Sequence, residues 1–167
     1  AVLPYFPYVR SDKQDEPGIS ITARLVADLL VTAGAHRVLA LDLHSPQVMG
    51  FFRIPIDHLT AIPVLCEALL AKDPTAERVV VATDIGEAKD AGRFAARMKL
   101  PLAVIDKRRT GDDEHAMPTA IAGDVRGRHA LIVDDEIATG GTILEAAGLV
   151  RRMGAAGVEA AVVHPVL

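Results

Sequence analysis

Short runs of aliphatic and β-branched residues recur along the chain, and helical patterns fall between them. The runs predict strands at Val2–Val9, Arg37–Asp42, Arg78–Ala82, Leu102–Ile105, Ala130–Val133 and Val158–Val163. Most are apolar throughout rather than alternating, which suits strands buried on both faces, as in a parallel sheet. A first helix, which Ser20 or Thr22 can cap, carries Ile21, Leu25 and Leu29 at spacing four and stops at Gly34. Further helices are expected from Pro63 to Ala71, over Glu87–Met98, and from Thr142 to Met153. Alternation of this kind implies an α/β doubly wound fold. Two stretches break the rhythm: Arg10–Gly18 is polar, and Lys107–Pro118 is charged and almost free of aliphatics. These are the candidate mobile loops. A domain boundary is expected near Phe52–Ile62, where Pro55 and Pro63 bracket a connection.

Composition narrows the class. The 167 residues suffice for one ordinary domain or two incomplete ones. Hydrophobic residues make up 50% and charged residues 24%, as in a globular protein. There is no Trp and only 4% aromatics, so Val, Leu, Ile and Ala must fill the core. A net charge of −4 argues against nucleic acid as a partner, because such surfaces are usually basic. No apolar run reaches the ~18 residues needed to span a bilayer, and no basic-then-apolar segment opens the chain. The single cysteine, Cys66, lies among Val64, Leu65, Leu69 and Leu70 and reads as a small buried hydrophobe in a protein of the reducing cytoplasm. The start at Ala1 and the stop at Leu167, at the close of an apolar run, both read as cuts through strands, so a fragment is expected.

The strongest chemical signal is Ala130-Leu-Ile-Val-Asp134-Asp135-Glu136-Ile137-Ala138-Thr139-Gly140-Gly141-Thr142. An apolar strand ends in paired carboxylates, a loop of small residues follows, and a helix begins. Backbone N–H groups in such a loop converge, and the helix N-terminus adds positive potential, which suits a phosphate. Gly140 and Gly141 permit close backbone approach, and Thr139 and Thr142 offer hydroxyls. Adjacent carboxylates repel unless a cation or sugar hydroxyls engage them. A ribose phosphate with Mg²⁺ nearby supplies both. The plainer reading is a polar strand end before a capped helix.

This run resembles the phosphoribosyl-pyrophosphate-binding motif of the type I phosphoribosyltransferases and of their relatives, the ribose-phosphate pyrophosphokinases. The resemblance gives Asp134 and Asp135 to the ribose diol, and Ala138, Thr139, Gly140, Gly141 and Thr142 to the 5′-phosphate. Most pyrophosphokinases carry Asp where this chain has Ala138, and Ala-Thr-Gly-Gly-Thr is common in adenine phosphoribosyltransferases, so the loop alone leaves both families open. Three further segments point to the pyrophosphokinases. Asp42-Leu43-His44, with the run on to Asp57, is similar to their Asp-Leu-His signature, where the pair meets Mg-ATP. At a strand end, residues two apart also face one side. Pro4-Tyr-Phe-Pro-Tyr-Val-Arg10-Ser11-Asp12 resembles their strand leading into a loop whose Arg and Asp contact ATP, with Ser11 replacing the usual Gln. Ile105-Asp106-Lys107-Arg108-Arg109 resembles the start of their flexible catalytic loop, whose Lys and Arg are Lys107 and Arg109 here. A weaker likeness is Asp84-Ile85-Gly86 to their Asp-x-Gly-Gly turn by the ribose phosphate, with Glu87 replacing the second Gly.

The resemblance implies mostly parallel sheets of the type I phosphoribosyltransferase kind in two incomplete tandem domains. Residues 1–58 would close an amino-terminal domain, and residues 59–167 would carry the phosphate loop in a carboxyl-terminal one. It implies pyrophosphoryl transfer from ATP to ribose 5-phosphate. Lys107 and Arg109 would be catalytic, Arg10, Asp12 and His44 would bind ATP, and Asp84 would join the sugar-phosphate site. Asp42, His44 and Asp84 would hold Mg²⁺. It also implies a homo-oligomer built from dimers, up to a hexamer. A purine-type phosphoribosyltransferase, a non-catalytic regulatory homologue and a plain ribose-phosphate-binding module are the competing readings.

Overall fold

The computed structural model describes residues 1–73, 76–107 and 118–166. It divides into two compact units, Ala1–Ala61 and Ile62–Leu167.

In the first unit, strands β1 (Val2–Leu3), β2 (Val38–Leu41) and β3 (Ile56–Leu59) form a parallel sheet in the order β1-β2-β3. Helix α1 (Thr22–Thr32) connects the first two strands, and a 3₁₀ helix at Pro46–Phe51 lies between the last two. The strand expected at Val2–Val9 stops after Leu3. Pro4 and Pro7 lack ladder donors, and the chain turns at Tyr8 with φ +59°. Phe6 and Val9 are buried with Ala23, Ala40, Leu43 and Val48. Helix α1 turns its small residues inward: Ala23 and Ala27 are buried, while Leu25 and Leu29 are 53% and 58% exposed. No side chain caps its start. The Ser11 carbonyl accepts the Ala23 N–H there at 3.2 Å. Strand β3 falls inside the stretch read above as a connection, because four residues between Pro55 and Thr60 carry little pattern.

In the second unit, α2 (Ile62–Lys72), β4 (Arg78–Ala82), α3 (Ala88–Met98), β5 (Leu102–Lys107), β6 (Pro118–Ala122), β7 (His129–Ile137), α4 (Gly141–Arg152) and β8 (Gly157–Pro165) follow in order. The sheet runs β6-β5-β4-β7-β8 and is parallel except for β6, which pairs antiparallel to β5. Strand β4 is buried along its whole length. Val80 and Ala82 face a core with Phe94 and Met98 of α3 and Cys66 of α2. Val79 and Val81 face the opposite core, with Ala146, Leu149 and Val150 of α4. Burial on both faces is what an apolar run without alternation requires. The doubly wound, mostly parallel α/β class is therefore as expected from sequence. Among the described residues, no helix is long and apolar enough to cross a membrane.

One buried ion pair ties strand β4 to strand β8 across β7. Arg78, with its side chain 4% exposed, donates from Nε to Glu159 Oε1 at 2.6 Å. Its Nη1 donates to the Asp73 carbonyl at 2.7 Å. Cys66 is fully buried, and burial pushes its thiol pKa up, as a small hydrophobe requires.

Candidate functional site

Strand β7 does not stop at the acid pair. It continues through Asp134 and Asp135 to Ile137, held by β8 in a register that sets Asp134 beside Val162 and Glu136 beside His164. The loop before α4 is thereby cut to Ala138, Thr139 and Gly140. Gly140 is the N-cap of α4 at φ +78°, a left-handed conformation that a side chain would strain. No side chain caps this helix end. Its first N–H groups, from Gly141, Thr142 and Ile143, have no partner within the helix by construction. They open beside the carboxyl ends of parallel strands, where open α/β sheets take ligands.

The acid pair is built into this end. Asp134 Oδ1 accepts the N–H of Asp135 at 2.9 Å, and its Oδ2 accepts the Thr83 hydroxyl at 3.2 Å. Asp84, just past β4, turns its Oδ1 back to the Glu87 N–H at 3.1 Å. A Cβ on Gly86 would stand 3.0 Å from that same oxygen, so a side chain there would press on the Asp84 carboxylate. Burial pushes the Asp134 pKa up to about 6, with Asp135 raising it further and the Thr83 hydroxyl opposing. Burial also pushes Glu87 up to about 7, helped by the charges of Asp135, Asp134, Asp84 and Asp90. Asp84, Glu87, Asp134 and Asp135 thus share one electrostatic neighbourhood, and hard oxygen donors of this kind fit a divalent cation such as Mg²⁺.

In the first unit, strand β2 ends at Leu41, and Asp42 has φ +37°. The period-two argument for Asp42 and His44 therefore fails, because neither lies in the strand. The segment is instead laced to the end of β3. Asp42 N–H donates to the Leu59 carbonyl at 2.9 Å, and Asp42 Oδ2 accepts the Ala61 N–H at 2.6 Å. The Leu43 N–H donates to His58 Nε2 at 2.9 Å, which gives His58 a structural task. His44 is exposed and Asp42 half-buried. Arg10 and Asp12 follow the turn at Tyr8, closed by the Ser11 N–H on the Tyr8 carbonyl at 3.0 Å. Arg10 and Ser11 line an open recess of about 390 Å³ with Tyr5, Pro7, Tyr8 and Val9. Lys107 closes β5 at an irregular pairing with β6. Its side chain, and Arg109 altogether, lie outside the described residues.

Thr83 carries no motif in the sequence. The signal that could have found it is positional. It follows β4 by one residue, and the pairing of Ala82 with Val133 sets it next to Asp134.

Sheet order, the short loop and the uncapped helix end make a doubly wound α/β domain with backbone N–H groups open at the end of β7. Residues 61–166 match the phosphoribosyl transferase domain, and residues 1–34 match the N-terminal domain of ribose phosphate pyrophosphokinase. The chain belongs to the phosphoribosyl transferase domain family. It is 52% identical to the ribose-phosphate pyrophosphokinase of Deinococcus radiodurans over 99% of this chain and 52% of that protein. It is 45% identical to the Chlorobaculum tepidum enzyme of the same name over 100% of this chain and 51% of that protein. The structure matches phosphoribosylpyrophosphate synthetase from Mycobacterium smegmatis with a TM-score of 0.89 and 41% identity, over 98% of this chain and 53% of that one. A purine phosphoribosyltransferase from Pyrococcus horikoshii matches with a TM-score of 0.50 and 28% identity, over 61% of this chain and 68% of that one. The chain spans about half the length of the curated relatives it matches.

Proposed function

We infer that the full-length protein carrying this chain transfers pyrophosphate from Mg-ATP to ribose 5-phosphate, giving 5-phosphoribosyl 1-pyrophosphate and AMP. The observation that carries this reading is the reach of the similarity. It runs through both units against the synthetase, whereas the purine phosphoribosyltransferase accounts for 61% of the chain. The relatives' shared name supports the same reaction.

The anomeric oxygen of the sugar attacks the β-phosphorus, the bond from that phosphorus to the α–β bridging oxygen breaks, and AMP departs. Such transfers need little covalent help, so positioning and charge neutralisation carry the rate. Asp134 and Asp135 accept the ring hydroxyls. The loop from Ala138 to Thr142 donates backbone and hydroxyl hydrogen bonds to the 5′-phosphate. Arg10, Asp12 and His44 hold the nucleotide, and an Arg can meet a phosphate in bidentate fashion. Lys107 and Arg109 neutralise charge as the phosphoryl oxygens rearrange. Asp42, His44 and Asp84 are the residues assigned to Mg²⁺. The carboxylates around Asp84 fit that ion by their chemistry, although Asp42 already spends one oxygen on Ala61. Bound Mg²⁺ supplies neutralisation of triphosphate charge. The resemblance to the pyrophosphokinases implies a dimer-based homo-oligomer of the cytoplasm.

Mixing the full-length protein with Mg-ATP and ribose 5-phosphate and following products by ³¹P NMR tests this. AMP and 5-phosphoribosyl 1-pyrophosphate should appear in equal amounts. Pyrophosphate release from 5-phosphoribosyl 1-pyrophosphate and a nucleobase, with no ATP-dependent synthesis, would move the reading to a phosphoribosyltransferase.

A further inference from the structure

We propose that Thr83 is a positioning residue for Asp134, fixing its carboxylate in the orientation that receives the ribose hydroxyls. The proposal rests on the ribose-phosphate reading of the β7 site. Thr83 is 1% exposed, and a hydroxyl that deep must find a partner. The structure gives it Asp134 Oδ2, at 3.2 Å. The other oxygen, Oδ1, takes the Asp135 N–H at 2.9 Å. One bond would leave the carboxylate free to turn about Cβ–Cγ. Two bonds on different oxygens set its plane. An ionised carboxylate has about four acceptor sites, so these two bonds leave acceptor capacity for ligand hydroxyls. Thr83 also precedes Asp84, whose own carboxylate is held by the Glu87 N–H. The end of β4 therefore steadies one assigned sugar-phosphate acid through a side chain and presents another from the next residue.

The test uses the full-length protein with Thr83→Val, Thr83→Ser and Asp134→Asn. Valine keeps the shape and deletes the hydroxyl. It should raise the KM for ribose 5-phosphate by about tenfold, as expected for losing a hydrogen bond to a charged group, and leave the KM for Mg-ATP unchanged. Serine should restore the wild-type value. A merely structural role would shift both KM values together or neither, and either pattern overturns the proposal. If valine prevents folding, Thr83→Ala against Thr83→Ser reads the same hydroxyl, and equal KM values for the sugar phosphate refute it. An effect of Asp134→Asn without one of Thr83→Val would defeat the positioning role alone. No effect of Asp134→Asn would defeat the ribose-phosphate reading as well.

Discussion

Glu87→Gln probes the crowding of carboxylates directly. The Glu87 pKa stands at about 7 against an ordinary 4.5, because burial and the charges of Asp135, Asp134, Asp84 and Asp90 all oppose its ionisation. At full weight that rise corresponds to about 3 kcal/mol, and partial exposure screens it to about 1–2 kcal/mol. The sign follows from linkage. A carboxyl with a raised folded-state pKa contributes stability that is fully present below its unfolded pKa and is lost as pH rises through the folded one. The window here runs from 4.5 to about 7. Glutamine carries no charge and loses nothing across it. Urea unfolding of both proteins at pH 5 and pH 8, without divalent cations, reads the effect. The advantage of Glu87→Gln over wild type should be greater at pH 8 by about 1–2 kcal/mol. An advantage equal at both pH values, or greater at pH 5, would refute the placement of Glu87 among these acids.

Two other perturbations are equally specific. Glu159→Ala leaves the Arg78 guanidinium buried without its 2.6 Å partner, and should cost about 3–5 kcal/mol by urea unfolding; a loss below about 1 kcal/mol would show that the pair is dispensable. Gly140→Ala forces a side chain into φ +78° at the start of α4. It should destabilise by roughly 1–2 kcal/mol and weaken ribose 5-phosphate binding by calorimetry, and unchanged affinity would contradict a loop whose backbone shape makes the site.

Much of the second unit was legible because its strands are buried on both faces, and such strands announce themselves as unbroken apolar runs. Arg78–Ala82 was read with its observed ends. Where pairing rather than hydrophobicity sets the boundary, the pattern fell short. Asp134 and Asp135 look like a strand's end, yet β8 carries the ladder on to Ile137 and shortens the loop before α4. At the amino terminus the reverse holds. Val2–Val9 has strand composition, but Pro4 and Pro7 withhold donors and the ladder ends at Leu3. Strand β6 hid beside a charged stretch, because antiparallel pairing with β5 needs no long apolar run. In α1 the spacing of Ile21, Leu25 and Leu29 marked a helix but not its inward face, which close packing gave to Ala23 and Ala27. The acids and glycines of the site were visible as a motif. Thr83 was not, since a single threonine after a strand becomes informative only once the register sets it against Asp134.

If the end of β7 and the start of α4 hold ribose 5-phosphate, binding depends on the acid pair. Calorimetric titration of that sugar phosphate into the full-length protein and its Asp134→Asn, Asp135→Asn double variant tests it most directly. Binding to the wild type, with none detectable in a double variant whose unfolding midpoint is retained, is the predicted result. Equal affinity in the two proteins would contradict the account.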